Sequence, residues 1–133
     1  DSFYNRNGGP YYDGQLDSVY VNDLGMYGTP STVVFCSGIH QDVIQFYSNF
    51  TVRSTERLTN NLRNGRVYFY FPNGHIQVEA NFVDGVEEGT YIVYHDNGIP
   101  FYKGNYEHGK RTGIWEFYDK EGELTHTTDY SKN

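Results

Sequence analysis

A chain of 133 residues has room for one domain, with a core of ordinary size for a small protein. Only 37% of the residues are hydrophobic, while fourteen Tyr and nine Phe help bring aromatics to 18%, so burial must lean on large rings. The net charge of −7, with Lys and Arg scattered, argues against sequence-independent binding to nucleic acid or anionic lipid; one cysteine excludes an intrachain disulfide and a thiolate-rich metal site.

Residues 1–35 carry turn chemistry at Asn7-Gly8-Gly9-Pro10 and Asp13-Gly14. Asp17–Val21 and Thr32–Phe35 read as strands, with Asn22-Asp23-Leu24-Gly25 as the loop between them. Residues 1–38 are expected to cap an open sheet edge, because an unprotected edge strand invites aggregation. Cys36 follows Val33, Val34 and Phe35 and reads as a small buried apolar residue; His40, four residues on, offers the only hint of a base for a nucleophile. No stretch is long and apolar enough for a membrane-spanning helix. The first residue is Asp rather than Met, which with the wealth of Tyr, Asn and Gly leans towards a processed, exported protein, in the periplasm or cell envelope.

Residues 39–63 admit two readings. Ile39, Val43, Phe46 or Tyr47 and Phe50 fall at helical spacing, with Ser37 as a cap. The alternative, preferred because its register needs no adjustment, is a worn hairpin: Thr51–Leu58 is the return strand and Asn60-Asn61 marks the turn.

Residues 64–133 are an array. Gly65, Gly89 and Gly113 recur every twenty-four residues, as do Gly74, Gly98 and Gly122. Tyr70, Tyr94 and Tyr118 keep the same step, and so do Val67, Tyr91 and Trp115, and Phe82, Tyr106 and Tyr130. Asp84-Gly85 and Asn97-Gly98 are expected turns of type I′ character and His108-Gly109 the turn after them, with strands at Thr90–His95 and Phe101–Tyr106 between. Strand alternation puts Val67, Tyr91 and Trp115 on one face and Tyr70, Tyr94 and Tyr118 on the other. Gly65, Gly89 and Gly113 fit a bulge or a close backbone approach. Phe46, Asn49 and Leu58 continue the lanes one period back.

The segment Tyr102-Lys103-Gly104-Asn105-Tyr106-Glu107-His108-Gly109-Lys110-Arg111-Thr112-Gly113-Ile114-Trp115 resembles a MORN repeat, whose pattern is Tyr-x-Gly-x-Tyr, a Gly-Lys turn, then Gly-x-Trp. The longer spacing between cores is similar to the bacterial YwqK-type, antitoxin-like variant. The resemblance implies an all-β, elongated, twisted antiparallel meander of hairpin repeats, here with an N-terminal cap (1–38), a degenerate repeat (39–63) and the array (64–133). It implies a non-catalytic module that contacts another protein, or alternatively a membrane surface.

The five histidines share no repeat lane and form no short-spaced pair, so no metal or other cofactor is expected. The carboxylates Asp84, Glu87, Glu88, Asp96, Asp119, Glu121 and Glu123 cluster at turns; a small hydrolase built on them is a further alternative, and solvated turns are the plainer reading. The expected binding residues are Tyr70, Tyr94 and Tyr118, offered to a protein partner, with no catalytic residues and no nucleic acid.

Overall fold

The structure, a computed structural model, describes residues 2–4, 18–24 and 30–131, with side chains from residue 31 onward. The turn signals at 7–10 and 13–14 lie outside the described residues. The described chain forms the strands β1 (Ser2–Tyr4), β2 (Ser18–Leu24), β3 (Pro30–Ser37), β4 (His40–Phe46), β5 (Val52–Thr59), β6 (Leu62–Arg63), β7 (Gly65–Tyr70), β8 (Ile76–Val83), β9 (Val86–Glu87), β10 (Gly89–Tyr94), β11 (Pro100–Glu107), β12 (Lys110–Tyr118) and β13 (Leu124–Asp129). All lie in one antiparallel sheet in chain order, with β6 beside β5 and β9 beside β8. This is the expected meander of hairpins, and no helix occurs among the described residues.

The worn copy is the hairpin β4–β5, paired from His40↔Thr59 to Phe46↔Val52, and the helical spacing of 39–50 is not used. Residues 22–24, expected in a loop, belong to β2. Pairing of Asn22 with Thr32 and Leu24 with Pro30 outweighs the weak strand preference of Asn and Asp. The N-terminal segment continues the same sheet, with β3 hydrogen-bonded to β4.

The two ends of the hairpins use different turns. On one rim, Asp84-Gly85, His108-Gly109 and Asn60-Asn61 have positive φ at both central residues, as a type I′ turn requires. On the other rim the expected type I′ turn at Asn97-Gly98 is not found. Gly98 N donates to His95 O (3.0 Å) and His95 N to Ile99 O (2.8 Å), closing a three-residue loop in which only Gly98 has positive φ. Phe71–His75 and Asp119–Glu123 repeat the geometry, and so does Tyr47–Thr51 in the worn copy. There Phe50 occupies the glycine position with φ 73°.

After each turn on the first rim, the chain pairs briefly with the strand it has just left, then slips. Between Leu58↔Arg63 and Thr55↔Tyr68, two residues on β5 face four on the later strand. Gly65, Gly89 and Gly113 stand in these bulges with φ of 107°, 87° and 70°, and open space lies where a side chain would start. They turn corners; the alternative of a close approach does not hold for them.

The core lies on one face of a single layer. Val67, Ala80, Phe82 and Trp115 are buried, with Phe69, Val78 and Tyr91 packed beside the first three. Trp115 is closed over by its neighbours: Tyr106 at 5.3 Å, Tyr130 at 6.0 Å, Tyr102 at 6.1 Å and Tyr91 at 6.2 Å between ring centroids, with the Arg111 guanidinium 4.8 Å from its ring. The close approach falls at Gly104. A β-carbon there would stand 2.2 Å from Trp115 Cδ2, so only glycine lets the indole lie down on β11.

Candidate functional site

Tyr70, Tyr94 and Tyr118 end β7, β10 and β12, and strand parity sets them on the face opposite the core. All three are half-buried. Their contacts run to neighbours rather than to one another. Tyr94 Oη donates to Glu79 Oε1 (3.1 Å), and Glu79 Oε2 accepts from Arg66 Nη1 (2.7 Å). Tyr118 Oη donates to Glu116 Oε1 (2.9 Å), while Lys103 Nζ lies 5.6 Å from its ring centre. Tyr70 stacks on Tyr68 at 6.3 Å, and its carbonyl accepts from Tyr47 Oη at 2.6 Å. Two of the phenols are shifted towards the neutral form: burial first, then the bond to Glu79, raises the Tyr94 pKa above its ordinary value, and the bond to Glu116 does so for Tyr118. The result is a row of fixed aromatic rings, one per repeat, each with a carboxylate or a second ring beside it.

The structure separates Cys36 from the base suggested for it. Cys36 pairs with Gln41, whereas His40 pairs with Ser37, so the thiol and the imidazole point to opposite faces. Cys36 is half-buried, not buried as expected, because no second layer covers β3 among the described residues. Three of the five histidines fill structural positions: His40 Nδ1 meets Thr59 Oγ1 at 2.9 Å, His95 Nε2 meets Tyr118 O at 3.1 Å, and His126 stacks on Phe117 at 4.3 Å. Among the described residues, no group of three His, Cys, Asp or Glu side chains could hold a metal ion.

Among the described residues, two concavities bear on the carboxylates. A concavity of about 310 Å³ includes Asp42 and Glu56, but Asp42 is bound to Arg57 (2.7 Å) and Glu56 to Arg63 (2.6 Å). A larger one of about 780 Å³, beside Arg111 and Tyr130, holds the single carboxylate Glu107. Neither offers the paired acid and base of a glycosidase.

Sequence reasoning placed Asn49 and Asn73 in one lane without seeing what the lane does. Asn49 Nδ2 donates to Pro72 O (3.4 Å), Asn73 Nδ2 to Asp96 O (3.0 Å) and Asn97 Nδ2 to Lys120 O (3.0 Å). Each Oδ1 accepts from the backbone two residues on, at Thr51, His75 and Ile99. Each asparagine therefore closes its own turn and ties it to the next one. The twenty-four-residue recurrence was the available signal; the bond partner, twenty-three residues away, was not visible in it.

Among curated proteins, none matches this chain. The hairpin array, its glycine corners and its aromatic lanes agree with the comparison to family models: two adjacent stretches, residues 63–84 and 87–108, match the MORN repeat variant.

Proposed function

We propose that this chain is a non-catalytic protein-interaction module that binds through the sheet face bearing Tyr70, Tyr94 and Tyr118. MORN repeats are commonly interaction or membrane-association modules and are generally non-enzymatic. The observation that carries the reading is the row of half-buried phenols anchored on Glu79, Glu116 and Tyr68. Rings already fixed by the fold lose little side-chain entropy when a partner covers them. An antitoxin-like role is the special case in which the partner is a toxin.

The test is affinity capture with the parent chain and with a Tyr70→Ala/Tyr94→Ala/Tyr118→Ala variant of unchanged circular dichroism. Loss of the captured partner is expected; equal recovery would overturn the reading. The membrane alternative has the net charge of −7 against it. Flotation with anionic liposomes decides it, and co-flotation that survives the triple variant would favour the membrane.

A further inference from the structure

The type I′ rim carries a second surface that the tyrosine face does not explain. Four of its aliphatic side chains stand in water: Ile39 is 58% exposed, Leu62 46%, Val83 49% and Val86 43%. They lie at successive turns of one edge, not scattered. Leu62 and Val86 are one period apart, and Ile39 precedes Leu62 by nearly the same interval.

Backbone bonds tie these turns together. Asn60 N donates to Ile39 O (3.1 Å), Gly85 N to Arg63 O (2.7 Å) and Gly109 N to Glu87 O (3.0 Å). Two of the four, Leu62 and Val86, also lean on the glycine of the following turn. Leu62 Cδ2 is 3.3 Å from where a Gly85 β-carbon would stand, and Val86 Cγ1 is 3.1 Å from that of Gly109. The stripe is thus built into the turns and held at a regular step. Fixed apolar side chains in a row on a soluble sheet edge are the mark of a contact site.

Two features select the occupant. Successive turns on this rim are two strands apart, about 9.5 Å, and seven residues of α-helix rise about 10.5 Å. A helix lying along the rim therefore sets residues i, i+7 and i+14 against Ile39, Leu62 and Val86. The Val86 turn is acidic: Asp84, Glu87 and Glu88 all fall in or beside it, Asp84 accepting from Asn64 Nδ2 (3.2 Å) and Glu88 from His108 N (3.0 Å). Arg63, the base nearest in sequence, is engaged with Glu56 and lies against the Phe82 ring at 5.3 Å. Lys110 and the His108 bound to Glu88 mark the far end of the stripe.

We infer that this rim docks a basic amphipathic helix of a partner protein, with aliphatic anchors at heptad spacing and Lys or Arg on both flanks. By strand parity Val83 and Val86 lie on the same face as the tyrosines but at the opposite rim, away from the strand ends that carry Tyr70, Tyr94 and Tyr118, so the fate of this site does not decide the reading above.

The probe is a synthetic peptide of about 21 residues, Leu at every seventh position and Lys on both flanks, titrated into the isotopically labelled chain. Amide shifts centred on residues 39, 62 and 83–88 are expected. Leu62→Ser/Val86→Ser should weaken binding about tenfold or more. Glu87→Lys should weaken the Lys peptide and admit one with Glu flanks, while the triple tyrosine variant should bind like the parent. Absence of shifts at the rim overturns the inference, as does equal binding of the Lys and Glu peptides. Dimerisation of the parent that Leu62→Ser/Val86→Ser abolishes also overturns it, because the rim would then be covered by a second copy.

Discussion

The last copy of the repeat and the worn copy occupy equivalent places in one sheet, yet they are held by different forces. Four cross-strand pairs on the core face stand one period apart: Gln45↔Ser54, Phe69↔Val78, Val93↔Tyr102 and Phe117↔His126. The first is a hydrogen bond, Ser54 Oγ donating to Gln45 Oε1 at 3.3 Å; the last is a stacked ring pair at 4.3 Å. The neighbouring lane runs Val43, Val67, Tyr91, Trp115 against Glu56, Ala80, Gly104, Thr128. From Val67 to Tyr91 the first residue grows as its partner shrinks to glycine, and the space that Gly104 leaves also admits Trp115 from the next strand. Strand pairing and the three-residue turn pass through both regions, while the asparagine ladder starts at Asn49 in the worn copy and ends on Lys120 O in the last, where Glu121 takes the asparagine position. The lesson is that register and turns carry the repeat, while side-chain packing can be exchanged copy by copy.

That contrast breaks most sharply at Trp115. Trp115→Ala should cost about 3–5 kcal/mol in chemical denaturation, the range for removing a buried large aromatic. Gly104→Ala should cost about 1–3 kcal/mol by forcing Trp115 off β11. In a Trp115→Ala background the same glycine change should lose most of its cost, which a double-mutant cycle reads directly. Additive costs would mean that the indole and the glycine are independent.

The worn copy should move the other way. Gln45→Phe/Ser54→Val installs the side chains of Phe69 and Val78 and removes both hydrogen-bonding partners together. It should be neutral or stabilise by about 1 kcal/mol. A loss greater than that, measured by thermal unfolding, would show that the polar pair is needed where it stands.

Phe50→Gly is expected to stabilise by less than about 1 kcal/mol. Relief of the left-handed conformation is partly offset by the entropy glycine loses on folding. Phe50 is exposed, so little burial is lost. Destabilisation would show that the ring does more than tolerate its place.

The gentlest probe is pH. Burial, chiefly, raises the Tyr91 and Tyr94 pKa values above the ordinary 10.0, and the bond to Glu116 raises that of Tyr118. A folded value above the unfolded one favours the neutral phenol in the fold. This contribution is complete below pH 10 and is lost as pH rises through the raised values. The unfolding midpoint should therefore fall only above about pH 10, together with late tyrosine ionisation in the ultraviolet. A decline beginning at neutral pH would assign the sensitivity to other groups.

The sequence by itself determined the period, the hairpins from 39 onward, the all-β class and the division of Val67, Tyr91 and Trp115 from Tyr70, Tyr94 and Tyr118. These follow from local rules: strands alternate faces, and paired glycines and asparagines turn chains. Even the glycine-free hairpin at 39–63 was legible, because the lanes of Phe46 and Leu58 kept step. Only the tertiary structure decided that Gly104 lies beneath Trp115, since that contact joins β11 to β12 after a slip whose size no local signal states. It alone showed Asn22–Leu24 inside a strand, where pairing with β3 overrode propensity. It also fixed the three-residue form of the Asn-Gly turns, the ladder from each asparagine to the next turn, and the separation of Cys36 from His40. The exposed line of Ile39, Leu62, Val83 and Val86 belongs with these. Sequence marks each of those residues as apolar, but only the stacking of turns shows that they share one edge and that water is what they face.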